Sequence, residues 1–218
     1  MKKLFAYFKH PTESIANENS ASIKSLILFY ILMQGILVLA MLPFIQAGIA
    51  PENLFSKLLE SKSLLWLIAF LPPIFEELTF RLPLKRSRTN FMISFVLLAV
   101  YVASTGIFFS TRFPLLWFTI LIAASLLLGY FLTKPLQKVR FDVIFYVFAF
   151  LFGFMHIFNY AGKITSFAIV LFVFIYFINK MAMGMFLGYI RIRYSILASI
   201  AIHFLNNFLP LMAVYYVI

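Results

Sequence analysis

Long apolar runs, separated by short basic or polar connectors, occupy nearly all of the 218-residue chain. They fall at about 25–48, 64–83, 91–110, 114–133, 141–160, 164–190 and 195–218. Each is close to the roughly 20 residues that carry a helix across a bilayer. None has the polar/apolar alternation of a barrel strand, so helices are left as the structure that can satisfy its own backbone in lipid. The pattern predicts an all-α polytopic membrane helical bundle of seven spans, or eight if the sixth splits. That sixth run is long and contains Asn179, Lys180 and Gly184, which predicts a break or a strong tilt. The second is interrupted by Pro72-Pro73, which predicts a new helical start just ahead of Glu76 and Glu77, near a positive helix end.

Residues 1–24 stand apart as a polar N-terminal tail before the bundle of 25–218. Their Lys2, Lys3, Phe5, Tyr7, Phe8, Lys9 cluster reads either as a short amphipathic piece on the membrane surface or as a frayed basic tail. No signal-peptide core of usable length opens the chain, so nothing is expected to be cleaved there.

Composition changes the picture in two ways. First, 64% of residues are hydrophobic and 11% charged, against about half and a quarter in soluble domains. That excludes an ordinary cytosolic enzyme, a disordered chain and a secreted disulfide scaffold, and makes membrane lipid the first partner. The absence of cysteine removes thiol nucleophiles and cysteine-ligated metal. Second, the net charge of +11 is distributed as topology signals rather than as one nucleic-acid face. With the N-terminus in the cytoplasm, twelve basic residues fall inside: Lys2, Lys3, Lys9, Lys24, Lys85, Arg86, Arg88, Lys134, Lys138, Arg140, Arg191 and Arg193. Four fall outside: Lys57, Lys62, Arg112 and Lys163. A bacterial inner membrane is the expected location.

Seven acidic residues are present: Glu13, Glu18, Glu52, Glu60, Glu76, Glu77 and Asp142. Only Glu76-Glu77 is set in strongly apolar surroundings. A charge at mid-bilayer costs on the order of 2.5–3.5 kcal/mol on insertion scales, so such residues tend to face a cavity and act there. On a helix, Glu77 and Arg81 form an i,i+4 pair, read equally as an ion pair that only holds helices together. Glu76 points about a quarter-turn away and is available as a base or ligand. His156 follows Phe152 by one turn, and His203 and Asn207 project together with Asn206 beside them, so an imidazole and a carboxamide can polarise a carbonyl. Taken alone, the histidines and amides serve equally well as helix-packing hydrogen-bond partners. Lys180 reads as snorkelling or pairing. The joint set can activate water. Other intramembrane protease chemistries lack their residues: there is no His-Glu-x-x-His, no Gly-x-Ser-Gly, and Asp142 is the single aspartate.

These residues resemble the CPBP intramembrane proteases, which include CAAX prenyl endopeptidases and bacteriocin-processing or immunity proteins. The family's Glu-Glu-x-x-x-Arg, Phe-x-x-x-His and His-x-x-x-Asn motifs match Glu76, Glu77 and Arg81, then Phe152 and His156, then His203 and Asn207, over about 64–210. The stretch from Gly188 to Ser195 is similar to the linker before the last motif, whereas Leu82-Pro83 follows Arg81 where glycine is common. The resemblance implies an endopeptidase for a membrane-associated peptide or protein. It further implies that Glu76 activates water with help from His156, that His203 and Asn207 stabilise the oxyanion, and that Glu77 and Arg81 hold the site. The family is often called metalloprotease, which makes Glu76, Glu77, His156 and His203 candidate ligands for zinc or another divalent metal. A non-catalytic immunity or scaffold protein of the same fold is the alternative. A transporter is the weaker third reading, because no inverted repeat is visible. Oligomeric state is not legible in the chain.

Overall fold

The structure, a computed structural model, describes residues 1–16, 20–49, 65–104, 114–160 and 162–217. Among them the chain forms α1 (Lys2–Lys9), α2 (Ile23–Gln46), α3 (Leu65–Phe80), α4 (Arg88–Ser104), α5 (Pro114–Lys138), α6 (Phe141–Ile157), α7 (Phe167–Arg193) and α8 (Ile196–Val217). Tight 3-10 turns follow at Leu82–Leu84 and Phe158–Tyr160. No strand occurs among the described residues, so the all-α expectation stands. Glu18, Glu52, Glu60, Lys57, Lys62 and Arg112 lie outside the described residues.

Among the described residues four helices are long and apolar enough to cross a membrane: α2, α5, α6 with its 3-10 turn, and α7. The stretches Arg88–Ala103 of α4 and Ile196–Met212 of α8 are apolar but shorter. The outward faces are what lipid requires. Ile36, Leu39, Leu115, Leu127 and Leu197 are all more than half exposed, an apolar surface that water would not tolerate. This is an integral membrane protein.

The packing pairs α6 with α7, α4 with α5, and α3 with α8, while α2 lies against α7. Two sequence expectations are corrected. α7 is one unbroken helix of 27 residues, shifted a few residues toward the C-terminus of the predicted run. Gly184 is there for close approach rather than for a break: a Cβ on it would stand 3.1 Å from both the Cα and the carbonyl oxygen of Ala149 on α6. Gly153 makes the reciprocal contact, with a Cβ meeting Met181 N and Phe177 O at 3.0 Å. Small residues at a seam let membrane helices approach where lipid gives no hydrophobic drive for association. Gly184→Val is therefore expected to destabilise the bundle by about 1–3 kcal/mol through overpacking, seen as a lower melting temperature in detergent.

The second correction concerns the prolines. α3 continues through Pro72 and Pro73, which neither start nor end it. Proline is tolerated in membrane helices because neighbouring groups take up the freed backbone. Glu76 and Glu77 thus sit in the last turn of α3, near the negative end of its dipole, and need side-chain cations for compensation.

The N-terminal segment is docked, not frayed. Leu4, Tyr7 and Phe8 of α1 are buried, and the Tyr7 ring meets Phe145 of α6 at 5.6 Å and Tyr189 of α7 at 5.1 Å. The Tyr146 hydroxyl donates to the Phe8 carbonyl, and Ala21 N–H donates to the Tyr189 hydroxyl at 2.7 Å. Arg86, ahead of α4, pairs with Glu13 and donates to the carbonyls of Gln137 (3.1 Å), in the last turn of α5, and Val139 (2.7 Å), just after it. These contacts tie α1 to α6 and α7, and the start of α4 to the end of α5.

Candidate active site

α3, α6 and α8 converge with α7 around a cavity of about 660 Å³ whose lining includes Glu76, His156, Lys180, His203 and Asn207. That volume lies within the range of small-molecule and peptide sites. Its polar groups are arranged around Phe152, which is fully buried on α6. The Phe152 ring lies 4.6 Å from the ring of His156 and 5.7 Å from that of His203, and the Arg81 guanidinium stacks 4.1 Å from its centroid.

Behind the cavity stands a fully buried carboxylate. Glu77 is 0% exposed and accepts from His203 Nδ1 at 2.9 Å, from the Ser199 hydroxyl, and pairs with Arg81 Nε at 3.4 Å. The i,i+4 pairing expected between Glu77 and Arg81 is present. Ser199 was not anticipated, although its place four residues before His203 put it on the same face of α8. Arg191 Nε donates to the Arg81 carbonyl at 3.4 Å, tying the end of α7 to the turn after α3.

Facing the cavity is Glu76, buried on the quarter-turn expected for it. Its Oε2 lies 3.7 Å from His156 Nε2 and 3.6 Å from His203 Nε2, and makes no direct hydrogen bond. Both imidazoles are fixed by their other nitrogen. His156 Nδ1 is 2.7 Å from the Phe152 carbonyl, which can only accept, so Nδ1 carries the proton. His203 Nδ1 faces the Glu77 carboxylate. Each ring therefore presents Nε2 to the cavity with its orientation set from behind.

Asn207 lines the cavity, and its Oδ1 accepts from Asn206 Nδ2 at 3.2 Å, which leaves its own Nδ2 as the donor end. Asn206 also lines the cavity, and its Oδ1 accepts from Tyr30 (3.0 Å) and Gln34 (2.7 Å) of α2. It thereby brings α2, which the sequence motifs left out, onto the wall of the cavity. Lys180 faces the cavity rather than an interface, its Nζ 5.3 Å from the Tyr176 ring centroid.

The donor set of Glu76, His156 and His203 is of the kind that binds zinc, with each imidazole anchored through Nδ1. Among the described residues, however, no three such groups converge closely enough to hold an ion as they stand. At 3.6 and 3.7 Å from the two Nε2 atoms, Glu76 Oε2 stands beyond direct hydrogen bonding, and a water oxygen can join this polar cluster.

A model of one protein family matches residues 58–209, described as type II CAAX prenyl endopeptidase Rce1-like. No curated protein and no solved structure matches the chain.

Proposed function

The chain belongs to the type II CAAX prenyl endopeptidase Rce1-like family, and from that premise we propose that it hydrolyses a peptide bond of a membrane-associated peptide or protein with water activated by Glu76. The observation that carries this reading is the position of Glu76 Oε2, buried, free of direct hydrogen bonds and flanked by two imidazole Nε2 atoms. Water held there gives one proton to Glu76, and its oxygen bonds to the scissile carbonyl carbon. Glu76 then passes that proton to the departing amine nitrogen as the C–N bond breaks. His156 orients the water through Nε2. Glu77, accepting at Nδ1 of His203, lets that ring carry a second proton on Nε2, and this N–H with the Asn207 amide stabilises the oxyanion. Arg81 balances Glu77. No step runs through a metal.

In the membrane, this reading takes seven spans with the N-terminus and the basic end of the bundle on the cytoplasmic side of a bacterial inner membrane, following the charge bias. The test is cleavage of a membrane-peptide library by the purified protein in nanodiscs, with products identified by mass. Asn207→Ala is expected to lower kcat by about 10²- to 10³-fold with little change in KM, as for loss of one oxyanion donor. Cleavage is expected to survive chelation. Its loss to chelator and return with zinc would move the two Nε2 atoms from orienting water to holding metal.

A further inference from the structure

The cavity contains one charged side chain that the proposed hydrolysis does not use. Lys180 is the midpoint of α7, 13 residues from Phe167 and 13 from Arg193. At 1.5 Å per residue this is about 20 Å of helix in either direction, beyond the reach of a lysine stem to an interface. A cation so placed is costly in lipid and is expected to face a partner or a cavity. α7 turns it into the same cavity as Glu76, His156 and His203, with its ammonium against the Tyr176 ring. Among the described residues no carboxylate stands within ion-pair distance of it: Glu77 is held by Arg81 and His203, and Glu76, which faces the two imidazoles, shares only its electrostatic field across the cavity. Asn159 and Asn179 line the wall around it and supply amide groups. An ammonium, a ring face and amides on one wall make a half-site that an incoming anion completes, and low local dielectric strengthens that pairing.

We propose that Lys180 binds a carboxylate of the substrate and so decides which peptides the cavity accepts. This rests on the endopeptidase reading for the identity of the ligand as a peptide. The carboxylate belongs either to the chain terminus or to an acidic side chain, and the chemistry of recognition is the same.

The experiment reads binding before cleavage. Three dansyl-labelled apolar tetrapeptides are titrated into the nanodisc-embedded protein: one with a free C-terminal carboxylate, one amidated, and one amidated with a glutamate side chain. The wild type is expected to bind at least one carboxylate form about tenfold to a hundredfold more tightly than the neutral peptide. The stronger of the two identifies the source. Lys180→Met should bind all three alike, and Lys180→Arg should keep the preference. Equal affinity of the wild type for charged and neutral peptides, or a preference that survives in Lys180→Met, overturns the proposal. Where a peptide is cleaved, Lys180→Met should raise KM for the carboxylate form far more than it lowers kcat. A carboxylate preference without any cleavage sustains the Lys180 site while overturning the endopeptidase reading, so the two fail separately. Melting temperatures of both variants report whether α7 still packs.

Discussion

Glu76→Gln is expected to lower the rate of peptide cleavage by about 10²- to 10⁴-fold while leaving the protein folded. The substitution keeps the volume of the side chain and removes its capacity to take a proton. Apart from the charge it shares with Lys180 across the cavity, little else depends on that carboxylate. Its Oε2 makes no hydrogen bond, and its neighbours stand 3.6 and 3.7 Å away. Burying a neutral amide in place of a charge lowers the desolvation cost, so the melting temperature should hold or rise. Single-turnover cleavage and thermal unfolding of the two proteins, measured side by side in nanodiscs, give both numbers. A variant that cuts as fast as the wild type would leave the scaffold or immunity reading as the better one.

The opposite separation is expected for Arg81→Met, one residue outside α3. Arg81 is 1% exposed, and its guanidinium pairs with Glu77, which is fully buried. Removing one partner of a buried pair leaves an uncompensated charge, a loss of about 3–5 kcal/mol, large against the marginal stability of a folded domain. The variant should therefore express poorly and melt early. Glu77→Gln combined with Arg81→Met should recover much of the melting temperature, because no charge is then stranded. It should not recover cleavage, since His203 loses the carboxylate that lets its ring carry a second proton. Rescue of stability without rescue of activity separates the supporting role of this pair from the chemistry of Glu76. A double variant as unstable as Arg81→Met would mean that stacking on Phe152, 4.1 Å from the guanidinium, rather than charge balance, is what holds the turn.

Much of the site was legible because lipid makes polar residues conspicuous. Glu77 and Arg81 meet as the helical spacing requires, and Glu76, His156 and His203 share one cavity although they come from three helices. What was misread depended on partners that local sequence does not reveal. Pro72 and Pro73 carry a strong local signal for a helix start, yet α3 runs through them because packing, not hydrogen bonding within the segment, decides its course. Gly184 read as a weak point of α7 and is instead the point where Ala149 comes closest. Lys180 read as snorkelling or pairing because its surroundings along the chain are apolar. Its surroundings in space are not, and the snorkelling half of that reading fails. Asn206 read only as a neighbour of His203 and Asn207, and its bonds to Tyr30 and Gln34 of α2 depend on a helix far away in the sequence.

The docking of the N-terminal segment also sets an order of events during synthesis. Ala21 finds its hydrogen-bond acceptor on Tyr189, 168 residues later, and Phe8 finds its donor on Tyr146. At roughly 5–20 residues per second, the first helix waits on the order of ten seconds or more before its partner side chains have been made. Through that interval Leu4, Tyr7 and Phe8 have no protein surface to cover them, and the nearest apolar phase is the membrane itself. A segment translated well before its partners is thus among the last to reach its final place, and its arrival marks a bundle whose α6 and α7 are already assembled.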